Sequence, residues 1–243
     1  MAQSLPGKAI FISATGTGVG KTMVSSLLLG FLRNQGIAAG YQKWVSTGGE
    51  LPEDLLFCLQ KNDMEFVREK LDSQVVYRFA LPASPHLAAE QAGREVDAGQ
   101  LQAAFARCAG EHEVLVVEGV GGVLVPLRRD LLLADFVAGL RLPVLIVACS
   151  GLGTINHTLL TIEALRHRKL KVLGVVFSDE QEGMAADDPL IADNMRTIAE
   201  TTGVEVFGRL LRHRDYARLE QDFQPVGRAI WRKFRSLAKS WQR

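Results

Sequence analysis

A chain of 243 residues, 47% apolar and 23% charged, has the size and composition of one large folded domain and excludes a disordered or fibrous protein. No apolar run approaches the ~18–20 residues that span a bilayer, and MAQSLPGKAIF lacks the charged and apolar regions of a secretory signal, so a soluble, cytoplasmic protein is expected, with no membrane partner. The net charge of +1 hides an asymmetry: ten Lys/Arg against three Asp/Glu from Arg209 onward, and 18 against 24 before it, which argues against nucleic-acid binding by the body.

The first predicted element is an apolar strand, Lys8–Ala14, running into A-T-G-T-G-V-G-K-T from Ala14 to Thr22 and then into a helix over Gly20–Asn34. Strand, glycine-rich turn, Gly-Lys-Thr and helix form the P-loop arrangement. Glycines let backbone N–H groups curl around phosphate oxygens, and the helix N-terminus adds its positive end. Lys21 is placed to reach the β/γ-phosphates and Thr22 to ligate Mg²⁺. The spacing departs from G-x-x-x-x-G-K-[ST], because Thr15 stands where that pattern needs glycine. Nor is Gly16-x-Gly18 a dinucleotide fingerprint, since Gly20 falls one residue short of the required interval.

A second strand over Ala38–Lys43 ends in Y-Q-K-W-V-S-T-G, which puts Lys43 and Thr47 at the same sheet edge as the P-loop. From Gly48 to Gly99 the pattern is irregular, with helical stretches near Glu53–Lys70 and a proline-bearing loop at Leu81–His86; such loops at strand C-termini are where open α/β sheets bind substrates. Asp54 is either a helix N-cap or a metal ligand. A helix over Gln100–Gly110 leads to a strand over Val114–Glu118, whose terminal Glu118 sits where a carboxylate beside a P-loop holds Mg²⁺. A helix at Leu131–Leu140, a strand at Val144–Ala148, a helix at Thr154–Arg168, a strand at Val172–Phe177 and a helix at Pro189–Thr202 complete the alternation. Near-continuously apolar strands imply burial on both faces, as in a parallel sheet. The expectation is an α/β, single-domain P-loop NTPase fold: a doubly wound, mostly parallel sheet with helices on both faces. Residues 1–208 form its body and residues 209–243 a basic extension. There, Trp231, Phe234, Ala238 and Trp241 share one helical face, giving a helix packed on the body or an amphipathic surface for an anionic partner or a membrane interface. The three cysteines, Cys58, Cys108 and Cys149, are far apart and read as reduced thiols.

Together these motifs resemble the dethiobiotin synthetase family, in order and spacing, from about Ala9 to Gly208. That family's stretched P-loop ends T-x-V-G-K-T, matched by Thr17 to Thr22. Its Y-x-K-P-[VI]-x-[ST]-G is Tyr41 to Gly48 with Trp44 for proline, and its S-D-A segment is Glu53-Asp54-Leu55, which favours Asp54 as a metal carboxylate. P-x-S-P-H-x-A-A is Pro82 to Ala89, V-E-G-A-G-G is Val117 to Gly122 with Val120 for alanine, and L-G-x-I-N-H-x-x-L-T is intact from Leu152 to Thr161. The chain departs from the pattern at Ala14, Gly16 and Gly18, where the family has Gly, Asp and often Glu. It departs again at Ser178 of Val176–Asp179, where V-x-N-D reads the base, and at Leu210-Leu211, where the family has I-P.

The resemblance implies an ATP- and Mg²⁺-dependent ligase that closes a cyclic urea on 7,8-diaminononanoate and CO₂. Lys21 and Lys43 would be catalytic. The nucleotide would contact Gly18, Val19, Gly20, Lys21, Thr22, Met23, Glu118, Gly119, Gly121, Ser178 and Asp179. The metal would be held by Thr22, Asp54 and Glu118, and the diamino acid by Thr17, Thr47, Gly153, Thr154 and Asn156. In the family the last three act across a homodimer interface. Two rivals stand beside this reading. One is a catalytically weakened nucleotide-binding paralogue. The other is a partition-type switch ATPase, against which Gly16 speaks, because that class carries a lysine there.

Overall fold

The computed structural model describes residues 6–49 and 51–241. In chain order the elements are β1 (Ala9–Ala14), α1 (Lys21–Asn34), β2 (Ala39–Thr47), α2 (Glu53–Lys61), α3 (Leu71–Gln74), β3 (Val75–Phe79), α4 (Pro85–Gln91), α5 (Ala98–Gly110), β4 (Val114–Glu118), β5 (Pro126–Arg128), β6 (Leu131–Leu132), α6 (Leu133–Leu140), β7 (Val144–Cys149), α7 (Thr154–His167), β8 (Val172–Glu182), α8 (Pro189–Thr202), β9 (Val206–Arg212) and α9 (Tyr216–Trp241). A sheet of seven strands in the order β3-β2-β4-β1-β7-β8-β9 pairs parallel throughout, and β5-β6 form a separate antiparallel pair.

Alternation along the strands sorts side chains into two cores. Ile10, Ile12 and Ala14 of β1 face the layer of α1, α2 and α9, with Leu28, Leu55, Phe223 and Ile230. Ala9 and Phe11 face the opposite layer, with Phe105, Phe136, Ile162 and Ile198 from α5, α6, α7 and α8. Both faces of the central strands are therefore covered, which is why those strands read as unbroken apolar runs.

Two strands of the seven-stranded sheet lay outside the sequence expectation. β3 lies inside the irregular stretch after Gly48 and extends the sheet beyond β2, in register Val45 to Tyr77. Its alternately buried and half-buried residues are those of an edge strand too short to stand out. β9 forms the other edge and spans the junction at 208/209, so the change in charge composition there falls inside a strand. The helix expected from Leu131 begins at Leu133, because Leu131 and Leu132 pair with β5.

α9 lies along α1 and buries Leu219, Phe223, Val226, Ile230 and Phe234. At Gly227 it meets Phe31 so closely that a Cβ would come within 2.6 Å of the ring, so only glycine permits this approach. Trp231 and Leu237 pack partly against the same core, and Ala238 lies near Gly7, 3.7 Å from where a Cβ on that glycine would stand. The side chain of Trp241 lies outside the described residues.

Candidate active site

Three strands and two helices bring the site together. β1 runs into the turn from Thr15 to Gly20, where Gly18 and Gly20 take left-handed φ angles of +78° and +95°. Gly20 is doubly constrained, since a Cβ there would lie 2.5 Å from Ser178 Oγ on β8. The loop thus packs against β8 at a point only glycine tolerates. Lys21 opens α1 and its ammonium donates to the Gly16 carbonyl at 3.0 Å.

On the other side of β1, register delivers the acidic and basic groups. Ile12 of β1 is level with Glu118 at the end of β4, and Glu118 is level with Lys43 on β2. Lys43 Nζ donates to Glu118 Oε1 at 2.8 Å and to Asp54 Oδ2 from the first turn of α2. Thr22 Oγ1 stands 2.8 Å from Asp54 Oδ1 and 2.9 Å from Glu118 Oε1. One hydroxyl proton can serve only one of those carboxylates at a time. Three hard oxygen donors therefore converge where a single proton cannot satisfy them, and that donor set fits Mg²⁺. Asp54 does not cap α2, whose N-cap position is Pro52.

Glu118 is fully buried. Burial opposes charge on Lys43, but Glu118 and Asp54 outweigh it and raise the ammonium above its ordinary value. Asp54 shows the mirror image: burial works to raise its carboxyl, and Lys43 with Thr22 brings it below the usual value. For Lys21 burial wins over Glu118 and Asp54, and the ammonium is pushed down to about 8.

Thr17, Gly18, Gly20, Lys21, Thr22, Lys43, Thr47, Asp54, Glu118 and Gly121 all line one cavity of about 340 Å³. Ser178, Asp179 and Met23 line an adjoining one of about 380 Å³, which shares Gly18 and Gly20 and is walled by Leu210 and Leu211. Val19 and Gly119 are buried beneath the loops; a Cβ on Gly119 would come within 2.7 Å of Phe11. Gly153, Thr154 and Asn156 occupy the start of α7 and line neither cavity. Gly153 and Asn156 are exposed, and the buried Thr154 hydroxyl has no partner among the described residues.

Residues not singled out from sequence complete the site. Tyr41 OH donates to Glu118 Oε2 at 2.9 Å. Burial, and then Glu118, raise its phenol well above the ordinary value, so it remains a donor. Its position two residues before Lys43, on the same face of β2, was the available signal. Arg209 of β9 donates from Nε and Nη2, one edge of its guanidinium, to the two oxygens of Asp179, at 2.8 and 2.9 Å, while Ser150 Oγ donates to Asp179 Oδ1 at 2.5 Å. Asp179 is thus engaged by protein partners, where the resemblance had it contacting nucleotide. Trp44, which replaces the family's proline, is a core residue: its ring lies 5.0 Å from Phe11 and 4.9 Å from Phe136, and its indole N–H donates to Gln42.

A parallel sheet whose central strand runs through a glycine-rich turn into Gly-Lys-Thr at the start of a helix, beside a strand ending in a carboxylate, defines a P-loop NTPase fold. A chain of the MinC:MinD cell division complex from Aquifex aeolicus superposes with TM-score 0.59 at 12% identity, covering 95% of each chain. A ParA family ATPase from Chlorobium tepidum gives 0.51 at 11%, covering 95% of this chain and 98% of that one. At such identities the likeness concerns the fold alone. A family model described as an AAA domain matches residues 8–218. Closer in sequence are proteins named ATP-dependent dethiobiotin synthetase. That of Anaeromyxobacter sp. strain K is 40% identical over 214 residues, 87% of this chain and 93% of its own. Those of Brachyspira hyodysenteriae and Methanococcus vannielii are 37% and 35% identical over 207 residues, covering 83% and 85% of this chain and 90% and 95% of theirs. The chain belongs to the dethiobiotin synthetase family of ATP-dependent ligases.

Proposed function

We propose that this chain forms dethiobiotin from 7,8-diaminononanoate, CO₂ and ATP, as the names of its relatives indicate. The observation that carries the reading is the meeting of Lys21, Lys43, Thr22, Asp54 and Glu118 around one cavity. One amine of the diamino acid adds to CO₂ and loses a proton, giving an N-carbamate. A carbamate oxygen attacks the γ-phosphorus and ADP leaves, giving a carbamic–phosphoric anhydride. The second amine then attacks the anhydride carbonyl, expels phosphate, loses a proton and closes the five-membered urea. Such chemistry depends mainly on positioning and on charge neutralisation.

Lys21 holds the β/γ-phosphates, giving up its bond to the Gly16 carbonyl to do so. Lys43 offsets negative charge on the carbamate and the moving phosphoryl group. Its burial between two carboxylates supports this role, because the surrounding acids keep it protonated. Thr17 and Thr47 orient the diamine. Thr22, Asp54 and Glu118 hold Mg²⁺, which supplies further charge neutralisation at the phosphates. The cavity shared by Ser178 and Met23 takes the base.

Gly153, Thr154 and Asn156 receive the substrate carboxylate from the opposite subunit of a homodimer, through the free N–H groups at the start of α7. Exposed leucines around that region support the assembly: Leu152 is 88% exposed, Leu160 57% and Leu124 49%. Clusters of this kind mark interfaces. A metabolic role of this type is cytoplasmic.

Mass-spectrometric detection of the cyclic urea from diamine, bicarbonate, ATP and Mg²⁺ tests the reading. Diamine-dependent product supports it. Hydrolysis of ATP at the same rate without diamine would indicate a switch ATPase, and nucleotide binding with no turnover a weakened paralogue.

A further inference from the structure

Well away from the P-loop, the second half of α9 and the end of α1 enclose a crevice of about 770 Å³, more than twice the 340 Å³ of the phosphate cavity. Phe31 and Trp231 line it together with Arg228, Arg232, Arg235 and Lys239, and among the described residues no carboxylate does. The four cations follow one another at intervals of four, three and four, so they form a stripe along one helical face, roughly 16 Å long at 1.5 Å per residue.

The fold does not require this stripe. α9 docks through Leu219, Phe223, Val226, Ile230 and Phe234, which lie in the core. Nor are the charges neutralised within the chain. Among the described residues, the only carboxylate within ion-pair distance of the four is Glu205, 3.6 Å from Arg232. Arg235 lies over the Trp231 ring at 5.9 Å, and Trp231 stacks on Phe234 at 5.8 Å with 27° between planes. Like charges three and four residues apart on a helix repel, so the stripe is retained at an electrostatic cost that a bound anion would remove.

We propose that this crevice is a second ligand site, which takes a small molecule joining a planar ring to two or more phosphates, the chemical class of nucleoside di- and triphosphates. The ring lies against Trp231, and the phosphates lie among Arg228, Arg232, Arg235 and Lys239. A concave site with an aromatic wall and several convergent cations suits a small ligand. A membrane is disfavoured because the apolar face of α9 is already buried, leaving nothing to insert. Nucleic acid is disfavoured because the 208 residues before the basic segment carry 18 basic against 24 acidic groups. The inference does not depend on the reaction proposed above.

The test is calorimetric titration of the full chain with ATP, with inorganic tripolyphosphate as a phosphate-only probe. The expected result is two ATP per chain. Lys21→Ala should remove only the P-loop site, and Arg228→Gln/Arg235→Gln only the crevice site. The charge-preserving Arg228→Lys/Arg235→Lys chain should keep both, with the two crevice variants melting like the wild-type chain. Crevice binding should weaken about tenfold or more between roughly 50 and 300 mM salt. Tripolyphosphate should occupy the crevice more weakly than ATP, and Trp231→Phe should narrow that difference. A wild-type chain that takes up one ATP only, or a second site indifferent to Arg228 and Arg235, overturns the proposal. It is equally overturned if a single-stranded oligonucleotide or phosphatidylglycerol vesicles bind through those arginines ten times more tightly than ATP.

Discussion

Lys43 and Glu118 stand opposite each other across β2 and β4, and the lysine ammonium lies 2.8 Å from the carboxylate. Because the register is fixed by two fully buried strands, the ammonium is delivered to the edge of the P-loop by the sheet itself, with little freedom to move elsewhere. Lys43→Ala should lower the rate of ring closure by about 10²-fold or more, the usual cost of losing one preorganised electrostatic donor. Lys43→Arg should rescue only in part, since a planar fork does not replace a compact ammonium. Near-normal cyclisation by the alanine variant, measured as product per chain, would remove Lys43 from the mechanism.

Tyr41 tests the same carboxylate from its other side. Tyr41→Phe deletes the bond to Glu118 Oε2 and leaves a buried, charged acceptor short of one donor. A hydrogen bond to a charged group contributes about 1.5–3 kcal/mol, and a loss of that size is expected in chemical denaturation. A change below about 0.5 kcal/mol would show that water or Lys43 takes over the vacated oxygen.

The depressed Lys21 gives the protein a pH signature. Its ammonium titrates at about 8 in the folded chain, against 10.5 for an ordinary lysine. Between those values the unfolded chain holds this proton more tightly, so the contribution of Lys21 to stability rises with pH in that window. Nucleotide binding runs the other way, because phosphate oxygens favour the charged form and raise its value. Affinity for ATP should therefore be flat below pH 7 and fall above pH 8, with proton uptake on binding visible in calorimetry across buffers of different ionisation enthalpy. Lys21→Ala should abolish the uptake; its persistence would assign the proton to another group.

At the base, Ser178 offers one hydroxyl, and both oxygens of Asp179 are held by Arg209. Neither offers the paired donor and acceptor of the asparagine amide that the family carries at the position of Ser178. Competition among ATP, CTP and GTP should give preferences below about tenfold, or ~1.4 kcal/mol. A strict requirement for ATP would place the reading on main-chain groups or on Glu182, Arg212, His213 and Arg214, which line the same cavity.

Arg209 itself carries a stability prediction. Arg209 and Asp179 are both buried, and truncating one leaves the other charge uncompensated. Arg209→Ala should cost about 3–5 kcal/mol, while changing both partners to apolar residues of similar volume should cost much less. Equal losses in the single and double variants would contradict the pairing.

Removing residues 228–243 should lower the melting temperature while leaving Lys21 and Lys43 in place. The deletion takes Ile230 and Phe234 out of the core, where truncating a single such side chain costs roughly 2–5 kcal/mol. An unchanged melting temperature would show that the docked helix adds nothing to the body.

Much of the fold was legible because its central strands are buried on both faces and announce themselves as apolar runs, as VLVVE and VLIVA do. β3 and β9 were not, because edge strands carry residues that reach toward water: Arg78 in one and Arg212 in the other. In the site, Lys21, Thr22, Lys43 and Glu118 could be read from their positions at strand ends and in the turn. Asp54 stayed ambiguous until the family motif was considered, since its partners are contributed by β2 and α1. Tyr41 and Arg209 act through register, across strands far apart in sequence, and composition carries no record of register.

The nearness of Gly7 to Ala238 has its own consequence. The described ends of the chain meet on one side of the molecule, so the polypeptide is topologically close to a ring. A short linker could join them without moving a strand, and a new break at the exposed turn around Gly183 would leave β8 and α8 on either side of the cut. The P-loop would then lie about a third of the way along the sequence instead of at its start, with the order of strands in the sheet unchanged.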